Sequence, residues 1–176
     1  MNDNINEYTW QLEALLLKIA EAASDNKKEY FIGEGFAIDI FLGKISRNHH
    51  DIDFHPMLED SLWWLEWFKK LGYKVRNRQD AKFPETWNVY NSEGEAIVDM
   101  WPFRLENGLL LINHEGKYSD GGRHWEEMNL TNYRGVKIKI ENPERVLEQK
   151  SRNAKHGQNY RPKDLHDFRL LGKEPK

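Results

Sequence analysis

The sequence predicts an α/β (α+β) fold: a mixed sheet flanked by helices, with further helices at the C-terminus. Three observations carry this. Amphipathic helical periodicity opens the chain, short strand-like and helical segments alternate through its middle, and two proline-started helical segments close it. The 176 residues, 39% of them hydrophobic, suffice for one domain with a real core.

Leu12, Leu15, Leu16, Ile19, Ala20 and Ala23 recur at helical spacing, so the first helix is predicted from about Tyr8 to Ala23, broken by Ser24-Asp25-Asn26. Glu29 to Gly33 reads as a short strand running into a Gly33-Glu34-Gly35 turn, and Phe36 to Leu42 as a helix closed by Gly43. Asp51-Ile52-Asp53-Phe54 alternates as a strand that Pro56 ends. Glu59 to Leu71 is a predicted amphipathic helix with Leu62, Leu65, Phe68 and Leu71 inside. Tyr73-Lys74-Val75 begins another strand, and Trp87–Asn91 with Ala96–Trp101 form a hairpin around Asn91-Ser92-Glu93-Gly94. Leu109 to Ile112 is a short apolar run before a loop reaching Gly122, and Val136 to Ile140 alternates as a strand. Pro143 starts a helix to about Ala154, and Arg161-Pro162-Lys163-Asp164 opens the last one, with Leu165, Phe168 and Leu171.

Charge narrows the classes. Lys+Arg 26 against Asp+Glu 29 gives a net charge of -3, which argues against a nucleic-acid binder working through a basic face. The absence of cysteine excludes disulfides and thiolate metal sites. The first residues lack the basic region of a signal peptide, and no run is long enough to span a bilayer, so a soluble cytoplasmic protein, monomer or homodimer, is expected. Seven tryptophans imply either a heavy aromatic core or a cleft that grips a flat ligand.

The chemistry concentrates between Phe31 and Phe54. Residues two apart on a strand share a face, so Asp51 and Asp53 project together while Ile52 and Phe54 enter the core. Two such carboxylates suit Mg²⁺, which takes one or two carboxylates and completes its shell with substrate phosphates. A solvent-facing acidic edge has the same spacing. The strand–turn–helix at Gly33 and Gly35 adds a seat for phosphate at a helix N-terminus, and the two features together are more specific than either alone.

Glu34-Gly35-Phe36, Asp39, Leu42-Gly43 and Arg47-Asn48-His49-His50-Asp51-Ile52-Asp53 resemble the motif of the small antibiotic nucleotidyltransferases that modify lincosamides and aminoglycosides, within the polymerase-beta-like superfamily. The likeness extends through Ala96-Ile97-Val98-Asp99-Met100-Trp101-Pro102 and Asp120-Gly121-Gly122 to the terminal helices. It implies a five-stranded nucleotidyltransferase sheet in a single domain over 1–176, with 142–176 a helical part closing the cleft. It implies Asp99 as a third metal ligand, general base, or both. It further implies transfer of a nucleotidyl group, AMP from ATP as the first guess, to a hydroxyl of a small molecule with release of pyrophosphate. One departure stands out: Glu34 replaces a glycine that the family uses close to the phosphates, where a carboxylate would repel them.

Around this motif Gly33, Gly35, Arg47, His49 and Lys150 are the candidate nucleotide-binding residues, with Arg161 and Lys163 either joining them or forming a solvated basic face. For the acceptor, Asp120, Glu126 and Glu127 would suit a cationic aminoglycoside, and Trp87, Trp101, Phe103 and Trp125 the apolar walls of a lincosamide site. Three rival readings remain. His49, Asp51, Asp53 and His55 could bind a transition metal for hydrolysis; the domain could bind nucleotide without turnover; or it could modify tRNA or protein, as toxin-type relatives do.

Overall fold

Helix α1 (Glu7–Asn26) begins where the Asn6 side chain accepts from the Thr9 N–H at 2.9 Å, and ends at Lys27, whose φ of 51° is left-handed. All six residues of the predicted stripe are buried. Then follow β1 (Tyr30–Ile32), α2 (Glu34–Phe41), β2 (Ile52–Pro56), α3 (Ser61–Lys70), β3 (Lys74–Asn77), β4 (Trp87–Tyr90) and β5 (Ala96–Met100). The second half holds β6 (Arg104–Glu106), β7 (Leu109–His114), β8 (Lys117–Ser119), β9 (Asn129–Tyr133), β10 (Val136–Ile140), α4 (Pro143–Lys155) and α5 (Pro162–Leu170). This computed structural model describes residues 5–79, 82–119, 123–155 and 159–175, so Asp120-Gly121-Gly122 lie outside the described residues.

The main sheet is mixed, in the order β3-β4-β5-β2-β1-β10-β9. β1 runs parallel to β10 and β2 parallel to β5; the other neighbours are antiparallel. Its seven strands exceed the expected five at both edges, where β3 pairs outside β4 and β9 outside β10. β9 escaped the periodicity because Asn129-Leu130-Thr131-Asn132 buries no apolar face, and Leu130 is 62% exposed. Its ladder to β10 and the intervening turn hold it, with Arg134 and Gly135 both at positive φ (52° and 85°). A separate three-stranded sheet, β6-β7-β8, takes up the Leu109 run.

Strand alternation divides the core. Tyr30, Ile32, Ile52, Phe54, Val98 and Met100 join the helices in the larger hydrophobic cluster, whereas Phe31 packs with Phe103, Leu110 and Met128 in a smaller one. On β2 and β5 the same alternation turns Asp53 and Asp99 away from the larger cluster. In α3 the buried positions are Ser61, Trp64, Leu65 and Phe68, while Leu62 and Leu71 are 76% and 43% exposed, contrary to the expected face. Both sets have helical spacing; the one containing Trp64 buries the larger ring, edge-on to Phe54 at 4.8 Å between centroids. No helix among the described residues is long and apolar enough to cross a membrane.

Asp164 fixes the last two helices to each other. Its carboxylate accepts from the Arg161 N–H at 3.0 Å, capping α5, and from Lys150 Nζ on α4 at 2.9 Å. Burial pushes the Asp164 carboxyl up, but hydrogen bonds from Arg161 and Lys150 outweigh it and hold it well below the ordinary carboxylate range. A depressed folded-state pKa gives stability that is complete above the unfolded value and is lost as pH falls. Asp164→Asn is therefore expected to lower unfolding free energy by about 2 kcal/mol at pH 7. In urea melts the difference from wild type should shrink below about pH 4; a pH-independent difference would remove the electrostatic explanation.

Candidate active site

The parallel pairing of β2 with β5 sets Asp53 directly beside Asp99, and Asp51 lies two residues ahead of Asp53 on the approach to β2. The three acids reach one cleft of about 700 Å³. Burial and then the carboxylates of Glu34, Asp51 and Asp99 push the Asp53 carboxyl well above its ordinary pKa. Asp99 is also raised, by burial and by Asp51, against the pull of Arg78 and Asn88. Its Oδ2 accepts from Arg78 Nη1 at 3.2 Å and its Oδ1 from Asn88. Crowded, oxygen-only donors that repel one another fit a hard divalent cation. Among the described residues no three His, Asp or Glu side chains form a ready-made metal cage, so a cation here would draw part of its shell from phosphate oxygens or water.

The segment before β2 is held from two sides. Tyr8 Oη donates to the His50 carbonyl at 2.9 Å, and the His49 N–H to Thr9 Oγ1 at 3.0 Å, so the start of α1 anchors it. From α2, Asp39 accepts from the Ser46 N–H at 3.0 Å and its hydroxyl, and from His49 Nε2 at 2.8 Å. His49 is buried and stacks on Phe36 at 4.0 Å. Arg47 Nη1 can only donate, so His49 Nδ1, 3.3 Å away, accepts and Nε2 carries the hydrogen toward Asp39. Burial lowers the His49 pKa and Arg47 adds to this, in keeping with a neutral ring. His49 therefore lines the cleft with both ring nitrogens already engaged.

The glycines of the turn have distinct reasons. A Cβ on Gly35 would lie 2.1 Å from Arg47 Nη2, and Arg47 is held by Asp167 through Nε–Oδ1 at 3.0 Å. A Cβ on Gly33 would lie 2.9 Å from His55 Nε2. Gly35 thus admits the Arg47 guanidinium against the start of α2. Lys150 Nζ also reaches this end, but contacts three carboxylates: Asp164 at 2.9 Å, Glu34 at 3.0 Å and Asp167 at 3.4 Å. Lys163 lines the cleft and opposes the rise in the Asp53 pKa, and Arg161 lines it too.

The opposite end is aromatic. Phe83 packs edge-on against Trp101 and His114, each at 4.9 Å, and the Arg78 guanidinium lies 4.9 Å from the Trp101 ring centre. A third corner carries His55, Arg123, Glu141 and Gln149. There the Glu141 carboxyl is raised by burial and lies 3.1 Å from Arg123 Nε. His55, beside them, is held at a pKa of about 3 by burial and Arg123.

Of the expected acceptor walls, Trp101 lines the cleft. Phe103 is fully buried in the smaller core cluster, with Trp125 packed on it at 5.4 Å, and Glu127 pairs with Arg145. Arg78, Phe83, Ile112, His114, Arg123, Glu141 and Gln149 were not anticipated. Only Ile112 and His114, two apart on β7, left a signal in strand parity. Arg78, Phe83, Arg123 and Glu141 come from loops and Gln149 from within α4, gathered by tertiary packing.

Solved structures of known proteins share this fold. LnuA, a lincosamide antibiotic adenylyltransferase solved with lincomycin bound, is 22% identical with a TM-score of 0.71, over 97% of this chain and 98% of its own. ANT(2'')-Ia, solved with adenylyl-2''-tobramycin, is 21% identical with a TM-score of 0.68, over 92% of this chain and 87% of its own. A nucleotidyltransferase-like structure from Thermotoga maritima is 13% identical with a TM-score of 0.60, over 89% and 92%. No curated protein matches the chain in sequence. The aminoglycoside-2''-adenylyltransferase family model matches residues 15–171, and with the nucleotidyltransferase fold and the paired acids of β2 and β5 in hand, the chain belongs to that family of enzymes.

Proposed function

We propose that this enzyme transfers AMP from Mg²⁺-bound ATP to a hydroxyl of a small molecule of the lincosamide or aminoglycoside kind, releasing pyrophosphate. The register of Asp53 beside Asp99, with Asp51 facing the same cleft, carries the reading. Asp51, Asp53 and Asp99 would hold one or two Mg²⁺, whose charge would offset that on the attacking and leaving oxygens of an in-line displacement. Asp99, with its pKa raised, is suited to accept the proton of the acceptor hydroxyl once Arg78 releases one of its oxygens.

The triphosphate would lie toward the start of α2, where Gly33 makes room for His55 and Gly35 lets the Arg47 guanidinium approach the helix end. Arg47, Lys150 and Lys163 would supply charge, and His49 would orient Arg47. The acceptor would rest against Trp101, Phe83 and His114, with Arg78 over the indole. Residues 142–176, through α4 and α5, would close the cleft over the nucleotide. The domain would then act as one unit, in the cytoplasm.

Two tests bear on this. Because burial and neighbouring carboxylates oppose ionisation of Asp53, Asp53→Asn removes a group whose raised folded-state pKa costs stability above its unfolded pKa. Its melting temperature in EDTA should equal or exceed that of wild type, while Mg²⁺-dependent transfer falls by at least about 10²-fold. Turnover at the wild-type rate would end the metal assignment. For the acceptor, incorporation of label from α-³²P-ATP across a panel of lincosamides and aminoglycosides should single out one class. A blank panel, with pyrophosphate still released on an endogenous hydroxyl compound, would shift the acceptor away from antibiotics.

A further inference from the structure

Glu34 lies at the first position of α2 with φ of 49°, a left-handed conformation that strains an ordinary side chain and suits glycine. Its carboxylate is 3.0 Å from Lys150 Nζ, which is 4% exposed. The other two carboxylates on Lys150 have their own cations: Asp164 pairs with Arg161 at 2.8 Å, and Asp167 with Arg47 at 3.0 Å. Three acids thus balance three bases in this cluster, and Lys150, Arg161 and Arg47 each face a carboxylate. Asp164 and Asp167 are buried, whereas the Glu34 side chain is 27% exposed and lines the cleft. Glu34 is the member of the cluster with room to leave.

We propose that Glu34 is an autoinhibitory residue: it occupies, on Lys150, the place of the substrate's terminal phosphate, so that triphosphate binding exchanges one anion for another. This rests on the nucleotide site proposed above. When Glu34 swings out, Lys150 gains one unbalanced charge for a phosphate oxygen, and Asp53 loses the neighbouring carboxylate that contributes most, after burial, to its raised pKa. The pair therefore competes with any phosphate that seeks Lys150, and lowers triphosphate affinity by what displacing Glu34 costs.

The test uses the full chain, with Mg-ATP, Mg-AMP and inorganic tripolyphosphate as probes in titration calorimetry. Glu34→Gln keeps the backbone conformation and removes the charge; Glu34→Gly removes both charge and strain and should fold at least as well. Both variants should bind Mg-ATP and tripolyphosphate about ten-fold tighter or more than wild type, while Mg-AMP should tighten by no more than Mg-ATP does. Weaker binding in both would make Glu34 a support for Lys150 and overturn the proposal. Equal Kd values in all three proteins would overturn the exchange while leaving the nucleotide site standing. If folded wild type and variants all fail to bind Mg-ATP, the site reading and the proposal fall together.

Discussion

Asp53 and Asp99 are brought side by side by parallel pairing of their strands, and the need to accommodate two partly buried carboxylates shapes what surrounds them. Such a pair cannot face a hydrophobic core without counter-charge. The fold turns it to the side of the sheet away from the larger cluster, and borders it with Arg78 and Asn88 on one flank and Lys163 on the other. Burial and neighbouring carboxylates raise both carboxyls above the ordinary range.

Positioning of the acids depends on contacts distant in sequence. The start of α1 grips residues 48–50, and Asp39 ties Ser46 and His49 to α2. Asp39, prominent in the motif, thus acts by orienting the segment that delivers Asp51 and Asp53. Arg47 continues the chain of contacts to Asp167 on α5, so the acidic strand and the terminal helices share one network. Asp39 and His49 of that motif are hydrogen-bonded to one another in this chain, and Ser46 bonds Asp39 as well.

The cleft divides by chemistry. Its basic end is almost fully paired, its middle is acidic and crowded, and its far end is aromatic with Arg78 over the Trp101 ring. This segregation suits a substrate pair in which one partner is a polyanion and the other offers a ring or sugar face.

Strand parity and helical spacing are local properties, so the sequence alone determined the mixed fold, the α1 stripe, the hairpin of β4 and β5, the inward Ile52 and Phe54, and the shared face of Asp51 and Asp53. It determined the family as well, because that motif is contiguous. What parity cannot encode is which strands become neighbours. The pairing of β2 with β5, the edge strand β9 without an apolar face, and the rotation of α3 onto Trp64 rather than Leu62 were decided by tertiary packing. The partner of Glu34 was decided in the same way. Lys150 is more than a hundred residues away in sequence, and only the docking of α4 against α2 sets the two charges within 3.0 Å.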